Sequence, residues 1–380
     1  MTGIRRVSQL GTTGESTYVD GSIQTVDIAA NAVTQDKLST DIPLSGMRNV
    51  IINGGMQVAQ RGSTFTFGSG GGSVYYGADR WRTQDYTWSA GSNITVSNDS
   101  SVYPTGFSNS YKVATGATGL TFGSGGTLFI ETAIEGYNAS SLYGKSAYLS
   151  FWVRSSVTGT YNVLLENGNW GSGTTTRIYT PEYTINLANT WEYKTIPINF
   201  AAATASGTWD RTNGKGIGVS FVLGAHADRT GDPYKSGWTT FSSYAGIKTS
   251  SAVSWGTNAN ATFNVTGVQL EQNLQPTPFE QRPIGVELAL CQRYYFYNTF
   301  SGNNFLDGYN ETNGYRTHIV NTPQPMRASP SVGLTFGYAL NLYQNGAGAT
   351  NNHQIIIIMR HVSTGRGYVY IDNISGSAEL

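Results

Sequence analysis

Two pairs of carboxylates stand four residues apart in this 380-residue chain, Glu131 with Glu135 and Asp228 with Asp232. Paired carboxylates are the machinery of glycoside hydrolysis, one as acid and the other as base or nucleophile. On a strand, residues four apart share a face at roughly 13 Å. That exceeds even the roughly 6.5–9.5 Å of inverting pairs. Neither local pair forms a hydrolytic couple, and carboxylates assembled from distant positions are not visible in a sequence. Nucleophilic catalysis has no better footing. His226, His318, His353 and His361 lie far apart, and no serine sits in a G-x-S-x-G elbow. Cys291 occupies an apolar position beside Leu288 and Leu290, where it reads as a packing thiol. His226, Asp228 and Asp232 in HADRTGD are candidate cation ligands, but a hard cation needs more oxygens. That segment reads as a turn. The Gly-rich stretches lack the Gly-Lys-Ser/Thr ending of a phosphate cradle. The chain is expected to be no enzyme, with no metal and no cofactor.

Binding chemistry is better represented. Flat aromatic rings suit the apolar faces of sugars, amides and hydroxyls read their edges, and aromatics present rigid area at low entropic cost. Trp170 lies in NGNWGSG, Trp238 in YKSGWTTF with Tyr244 close behind, and Tyr309 and Tyr315 in GNNFLDGYNETNGYR. These five are the candidate glycan contacts, with the Tyr309 and Tyr315 loop foremost. Trp81, Trp152 and Trp191 fall in predicted strands and are expected in the core.

The elements that must carry these residues follow from composition. Only 12% of residues are charged, and Gly (47 residues) and Tyr (24) are abundant. Gly and Asn supply turns, while Thr, Tyr and Val fit pleated surfaces. The mixture predicts many short strands. Aromatics at 12% and a formal net charge of zero argue against general disorder. The 23 basic residues are scattered among 23 acidic ones, so no basic stripe exists for nucleic acid. No apolar run approaches the roughly 18–20 residues of a spanning helix. Arg5 and Arg6 are followed by no apolar core, so a product of the cytoplasm with no encoded export route is expected. One cysteine excludes an internal disulfide.

Three regions are expected. In residues 1–45, apolar anchors recur every five residues at Ile23, Ile28, Val33 and Leu38, a spacing that neither helix nor strand explains. A segment so thinly apolar finds a core only against copies of itself, which predicts a trimeric stem; the alternative is a linker. Residues 46–283 read as a β-sandwich or barrel, with strands at Ala147–Val153, Trp191–Phe200, Gly216–Leu223 and Thr262–Leu270 and Gly-rich loops at 68–73, 123–127 and 168–176. Residues 284–380 read as a smaller β domain opened by a short helix, Ile284–Gln292, whose Val286 and Leu290 are further trimer contacts.

The segments GMRNVIINGGMQVAQRG (46–62), ADRWR (78–82) and VTGVQLEQNLQPTPFEQRPIGVELALCQRYY (265–295) resemble a domain recurrent in bacteriophage tail fibres and minor virion proteins. PMRASPSV (325–332) and the terminal SAEL are similar to the C-terminal ends of the same proteins, and DGSI-TVDIA-NAV-KLS to their slender stems. The resemblance implies a homotrimer with a stem, a jelly-roll sandwich like a carbohydrate-binding module, and a distal tip. It also implies a place in the virion beside other tail or baseplate proteins, and host surface polysaccharide or lipopolysaccharide as partner. No large adaptor domain of the kind that docks long fibres is visible. A purely structural collar, head or baseplate fibre is the rival reading, and a polysaccharide depolymerase the third; the stacked rungs of a β-helix are missing.

Overall fold

The computed structural model describes residues 47–380, except 69–73, 89–92, 169–174 and 300–304. The stem positions Ile23, Ile28, Val33 and Leu38, and Trp170, lie outside the described residues. The described chain is nearly all β. Numbered along the chain, its first strands are β1 (Thr64–Phe67), β2 (Val74–Ala78), β3 (Trp81–Trp88), β4 (Ile94–Asp99), β5 (Ser110–Thr115), β6 (Phe122–Glu135) and β7 (Ser146–Ser155). There follow β8 (Gly159–Glu166), β9 (Arg177–Tyr179), β10 (Glu182–Ile185), β11 (Glu192–Asn199), β12 (Lys215–Ala225), β13 (Thr239–Thr240) and β14 (Thr262–Glu271).

These strands build two antiparallel sheets, ordered β1-β4-β5-β14-β7-β11 and β13-β9-β8-β12-β6-β3-β2, with β10 beside β8. The chain crosses repeatedly from one sheet to the other, so β5 comes to lie against β14 and β6 against β12, a jelly-roll sandwich. Period-two alternation fills the space between the sheets. Leu149, Phe151 and Val153 of β7 meet Tyr161, Val163 and Leu165 of β8 and Val219, Phe221 and Leu223 of β12 in one buried cluster. Phe151 stands edge-on to Phe221 at 4.9 Å. The same alternation turns Trp152 out of the core, where it lies half-buried near Tyr193. Trp191 is also half-buried, just before β11; of the three tryptophans expected inside, only Trp81 is fully enclosed.

A second correction concerns 123–127, expected as a loop. These residues belong to β6, the strand running on past the register shift between Tyr86 and Trp88 of its partner β3. Glycine here reflects an irregular strand end rather than a connection.

After β14 the chain runs through three prolines into α3 (Ile284–Gln292), the longest described helix; α1 (Gly136–Ala139) and α2 (Phe200–Ala203) are single turns. The remaining strands are β15 (Tyr295–Thr299), β16 (Phe305–Asn310), β17 (Tyr315–Asn321), β18 (Ser331–Leu340), β19 (Leu342–Ala349), β20 (Gln354–His361) and β21 (Gly365–Ser377). One sheet has β21 paired with β15, β16 and β18, and another is ordered β17-β20-β19. They enclose their own cluster, including Phe296, Ile355, Ile357, Met359, Val369 and Ile371.

Sandwich and C-terminal sheets are joined by a buried polar clasp. Asn53, at φ 56°, donates from its amide to Val58 O and Asp79 O (2.8 Å each), and its carbonyl oxygen accepts from Trp81 Nε1 at 3.0 Å. Its backbone N–H donates to Glu287 of α3. Arg282 pairs with Glu287 (3.5 Å) and Glu280 (3.3 Å) and donates to the carbonyls of Asn49 and Ile51. Asn49 is bonded in turn to Val268 O and Leu270 N, at 3.0 Å each. Arg80 lies 3.6 Å over the Tyr294 ring and pairs with Glu379, and Arg61 reaches Glu379 at 2.8 Å. Arg293 and the Tyr294 hydroxyl both close on Glu135, at 2.6 Å.

Removing one partner of a buried pair strands the other, at a cost of about 3–5 kcal/mol. Glu287→Ala, which leaves Arg282 and the Asn53 N–H short of a buried acceptor, is therefore expected to lower stability by about that much. A denaturant titration read on tryptophan fluorescence measures it; a loss below about 1 kcal/mol would show the clasp to be incidental.

His361 ends β20 fully buried, with no hydrogen bond to either ring nitrogen among the described residues. Burial, helped by nearby Arg316, pushes its pKa below the ordinary histidine value. An unfolded chain then binds the proton more readily than the folded one, so this contribution is intact above about pH 6.5 and is lost as pH falls below it. Thermal unfolding followed from pH 8 to pH 5 is expected to show stability declining through the lower half of that range. His361→Phe is expected to flatten the decline. An unchanged profile in that variant would assign the dependence elsewhere, His318 being the next histidine with a depressed pKa.

Candidate ligand-binding groove

The outward face of the larger sheet carries the side chains that the core rejects. On β3 these are Arg82, Gln84 and Tyr86, and on β6 Phe129 and Glu131, alternating with core-facing Trp81, Thr83, Leu128 and Ile130. Farther across, Leu164 of β8, Ile178 of β9 and Val222 of β12 are also apolar. A long excursion between β12 and β14 roofs that half, packing Tyr234, Phe241 and Ile247 onto Phe129, Leu164, Ile178 and Val222. The excursion is tied down at several points. Tyr234 Oη accepts from Ser242 N (3.1 Å) and Ser243 N (3.0 Å), and Asn162 of β8 bonds Ile247 O and Thr249 N.

The β3–β6 half stays open. It forms a groove of about 410 Å³ whose floor is Arg82, Gln84, Tyr86, Phe129 and Glu131 and whose walls include Lys215, Arg229, Tyr244 and Ile247. Tyr86 and Tyr244 are 43% and 42% exposed, the accessible rings of the site. Tyr86 stands edge-on to Phe129 at 6.2 Å, and its hydroxyl accepts from Gln84 Nε2. Burial and the neighbouring Glu131 hold the Tyr86 hydroxyl above its ordinary pKa, so it stays protonated.

The charged groups are mostly spent on one another. Arg82 Nε donates to Glu131 at 2.6 Å, Ser220 Oγ donates to the second Glu131 oxygen at 3.4 Å, and Lys215 pairs with buried Glu166. Both cations are held in the charged form: burial alone would lower each pKa, and the carboxylate partners override it. Asp228 accepts from Ser124 Oγ (2.7 Å) and Gly125 N (3.0 Å) and lies 2.8 Å from His226 Nδ1, contacts that lower its pKa to about 2. Asp232 accepts from Ser250 N at 2.9 Å. The two aspartates that the sequence offered to a cation thus pin loop backbone. Glu131 and Glu135, on one strand, serve separate partners, Arg82 and Arg293.

The expected contact residues fall in different places. Tyr244 walls the groove. Trp238 is half-buried in an aromatic stack, 5.4 Å from Trp209 and 5.6 Å from Phe200, against the end of the core. Tyr309 and Tyr315 belong to strands rather than to a loop, Tyr309 paired with Arg366 in β16 and Tyr315 opening β17 opposite Arg360. The Asn313-Gly314 turn between them, with Asn313 at φ 69°, lets the chain change sheets in four residues. Tyr315 is 55% exposed, far in the chain from the groove residues. Val286 is 42% exposed on α3, and Leu290 lines a second hollow of about 280 Å³ with Val50, Tyr137 and Arg282. Arg82, Gln84, Tyr86, Lys215 and Arg229 were not anticipated as site residues. The signal was present in WRTQDY, an alternation whose outward set is Arg, Gln and Tyr.

No protein-family profile matches the chain, and no curated protein matches it in sequence. Solved structures do show likeness. A family 11 carbohydrate-binding module from Clostridium thermocellum, in complex with a mixed-linked tetrasaccharide, is 11% identical and covers 56% of this chain and 98% of its own, at TM-score 0.29. A xylan-binding domain from Paenibacillus barcinonensis is 15% identical over 55% of this chain and 99% of its own, at TM-score 0.27. The enzymatically active domain of tailspike protein 4 from bacteriophage CBA120 is 12% identical over 59% of this chain, at TM-score 0.30. That match spans 21% of the tailspike chain.

Proposed function

We propose that this chain is a non-enzymatic adhesive protein of a bacteriophage particle, a trimeric tail-fibre type of molecule that binds host cell-surface glycan through the groove on its sandwich. The observation that carries the reading is the half-roofed sheet: a rigid floor left open beside two accessible tyrosines, with an amide and paired charges between them. Such a lining offers ring faces for the apolar side of a saccharide and fixed donors and acceptors for its hydroxyls. The sequence resemblance of segments 46–62, 78–82 and 265–295 to phage fibre proteins supplies the setting, and residues 1–45 serve in this reading as the stem that joins other virion proteins. Glu131 and Glu166 are each committed to a cation, Arg82 and Lys215, an arrangement that suits fixed polar contacts to a bound saccharide.

Screening the full chain against an array of bacterial surface polysaccharides tests the adhesive role. Binding is expected, and Tyr86→Ala or Tyr244→Ala is expected to weaken it about tenfold, equivalent to about 1.4 kcal/mol. Tyr193→Ala, on the outer face of the opposite sheet, serves as control. Absence of binding in the parent chain favours the purely structural virion role.

Trimerisation has its own test. Ile284 (58% exposed) and Val286 present apolar surface while α3 turns Glu287 and Cys291 inward, an arrangement suited to a second copy. Native mass measurement is expected to give three chains, and Val286→Glu to weaken the assembly. A parent chain that remains single at micromolar concentration removes the trimer from the proposal.

A further inference from the structure

Among the basic side chains of the groove, Arg229 is arranged differently from the rest. Arg82 and Lys215 are committed to Glu131 and Glu166. Arg229 makes no side-chain hydrogen bond among the described residues, and its closest carboxylate approach is Nε to Asp228 at 4.0 Å. Asp228 is itself engaged by Ser124, Gly125 and His226. The guanidinium is nevertheless held in place, lying 4.4 Å over the ring of Tyr244, with a quarter of its side chain exposed. Stacking on an aromatic ring fixes the plane of a guanidinium without using its N–H donors.

Gly125 contributes the space beside it. It lies at φ +80°, and a Cβ there would come 3.0 Å from a terminal nitrogen of Arg229. The glycine thus keeps an unoccupied edge next to the guanidinium, and both residues line the groove. Its ion pair with Asp228 is long and made through Nε, which leaves the two terminal nitrogens of Arg229 without a hydrogen bond among the described residues; a planar fork of such donors matches a carboxylate or phosphate through two parallel hydrogen bonds. In the partly enclosed groove such a bond is screened less than at an open surface.

We propose that the groove selects anionic saccharides, with Arg229, steadied on Tyr244, receiving a carboxylate or phosphate substituent while the sugar ring lies along Tyr86. The inference rests on the glycan-binding reading above and names its ligand class. It gives the groove a division of labour. The neutralised pairs Arg82–Glu131 and Lys215–Glu166 read hydroxyls, and the terminal nitrogens of Arg229 read charge.

The test uses the full chain and immobilised polysaccharides in matched pairs: polygalacturonate, alginate and hyaluronate, each beside its carboxyl-reduced form, together with a phosphomannan and its dephosphorylated form. At least one charged member is expected to bind ten times or more tightly than its neutral partner, with the preference shrinking as salt rises. The carboxylate pairs and the phosphate pair separate the two sources of charge. Arg229→Gln is expected to bring the members of a pair within about twofold of each other. Arg229→Lys, which keeps the charge but loses the fork, is expected to retain only part of the preference. Gly125→Ala is expected to weaken the charged member selectively. Equal binding of charged and neutral members by the parent chain, or an undiminished preference in Arg229→Gln, overturns the charge selection and leaves the glycan reading standing. No binding to any polysaccharide overturns both.

Discussion

The fold depends on a buried carboxylate, Glu287, that caps a turn more than two hundred residues earlier in the chain. Its acceptance of the Asn53 N–H and its pairing with Arg282 hold residues 49–58 between β14 and α3. Three residues other than glycine near this point, Asn53, Met56 and Arg80, sit at positive φ, which costs of order 1 kcal/mol or more each. Asparagine tolerates that region; methionine and arginine do so only where their surroundings leave no alternative. Here Met56 is enclosed in the core, and Arg80 is held between Tyr294 and Glu379. Because a buried carboxylate left without its partners is costly, Glu287 ties α3 to the turn at Asn53 and to Arg282 together.

That constraint reaches the groove. β3 begins at Trp81, directly after Arg80, so the fixed backbone at Arg80 decides which face of the strand Arg82, Gln84 and Tyr86 occupy. A slip of one residue would send all three into the core. β6 is fixed at the same end, where Glu135 meets Arg293 and Tyr294. The two strands forming the floor are therefore registered against each other by the clasp as well as by their own ladder.

Much of this architecture was legible in the sequence, because period-two alternation reports directly on burial. Ala147–Val153 marked β7 to within a few residues, and IGVELALCQ marked α3 from end to end. The segments expected as loops and found as strands share one cause. Glycine and asparagine signal loops by composition, whereas Gly123–Gly126 lie within β6 and residues 305–321 around Tyr309 are strand, turn and strand. Local composition reports backbone permissiveness; the ladder partner decides whether a permissive stretch is paired. The groove was harder to read for a different reason. Its floor comes from β3 and β6 and its wall from Lys215 and the 229–247 excursion, and only the roofing of the neighbouring half makes a cavity of them. Tyr86 carries no loop signal, because a tyrosine on a strand fits any half-buried pleated surface.

The division of the outer face explains why a groove exists at all. A sheet whose two faces are both partly apolar must cover the second face or expose it. The excursion covers Leu164, Ile178 and Val222 and stops at Ile247, while Arg82, Gln84 and Glu131 beyond it remain compatible with water. The boundary between roof and open floor is thus set by where apolar side chains give way to polar ones. A ligand entering there meets a wall anchored by Tyr234 and Asn162 and a floor anchored by the clasp, so little ordering is required on binding.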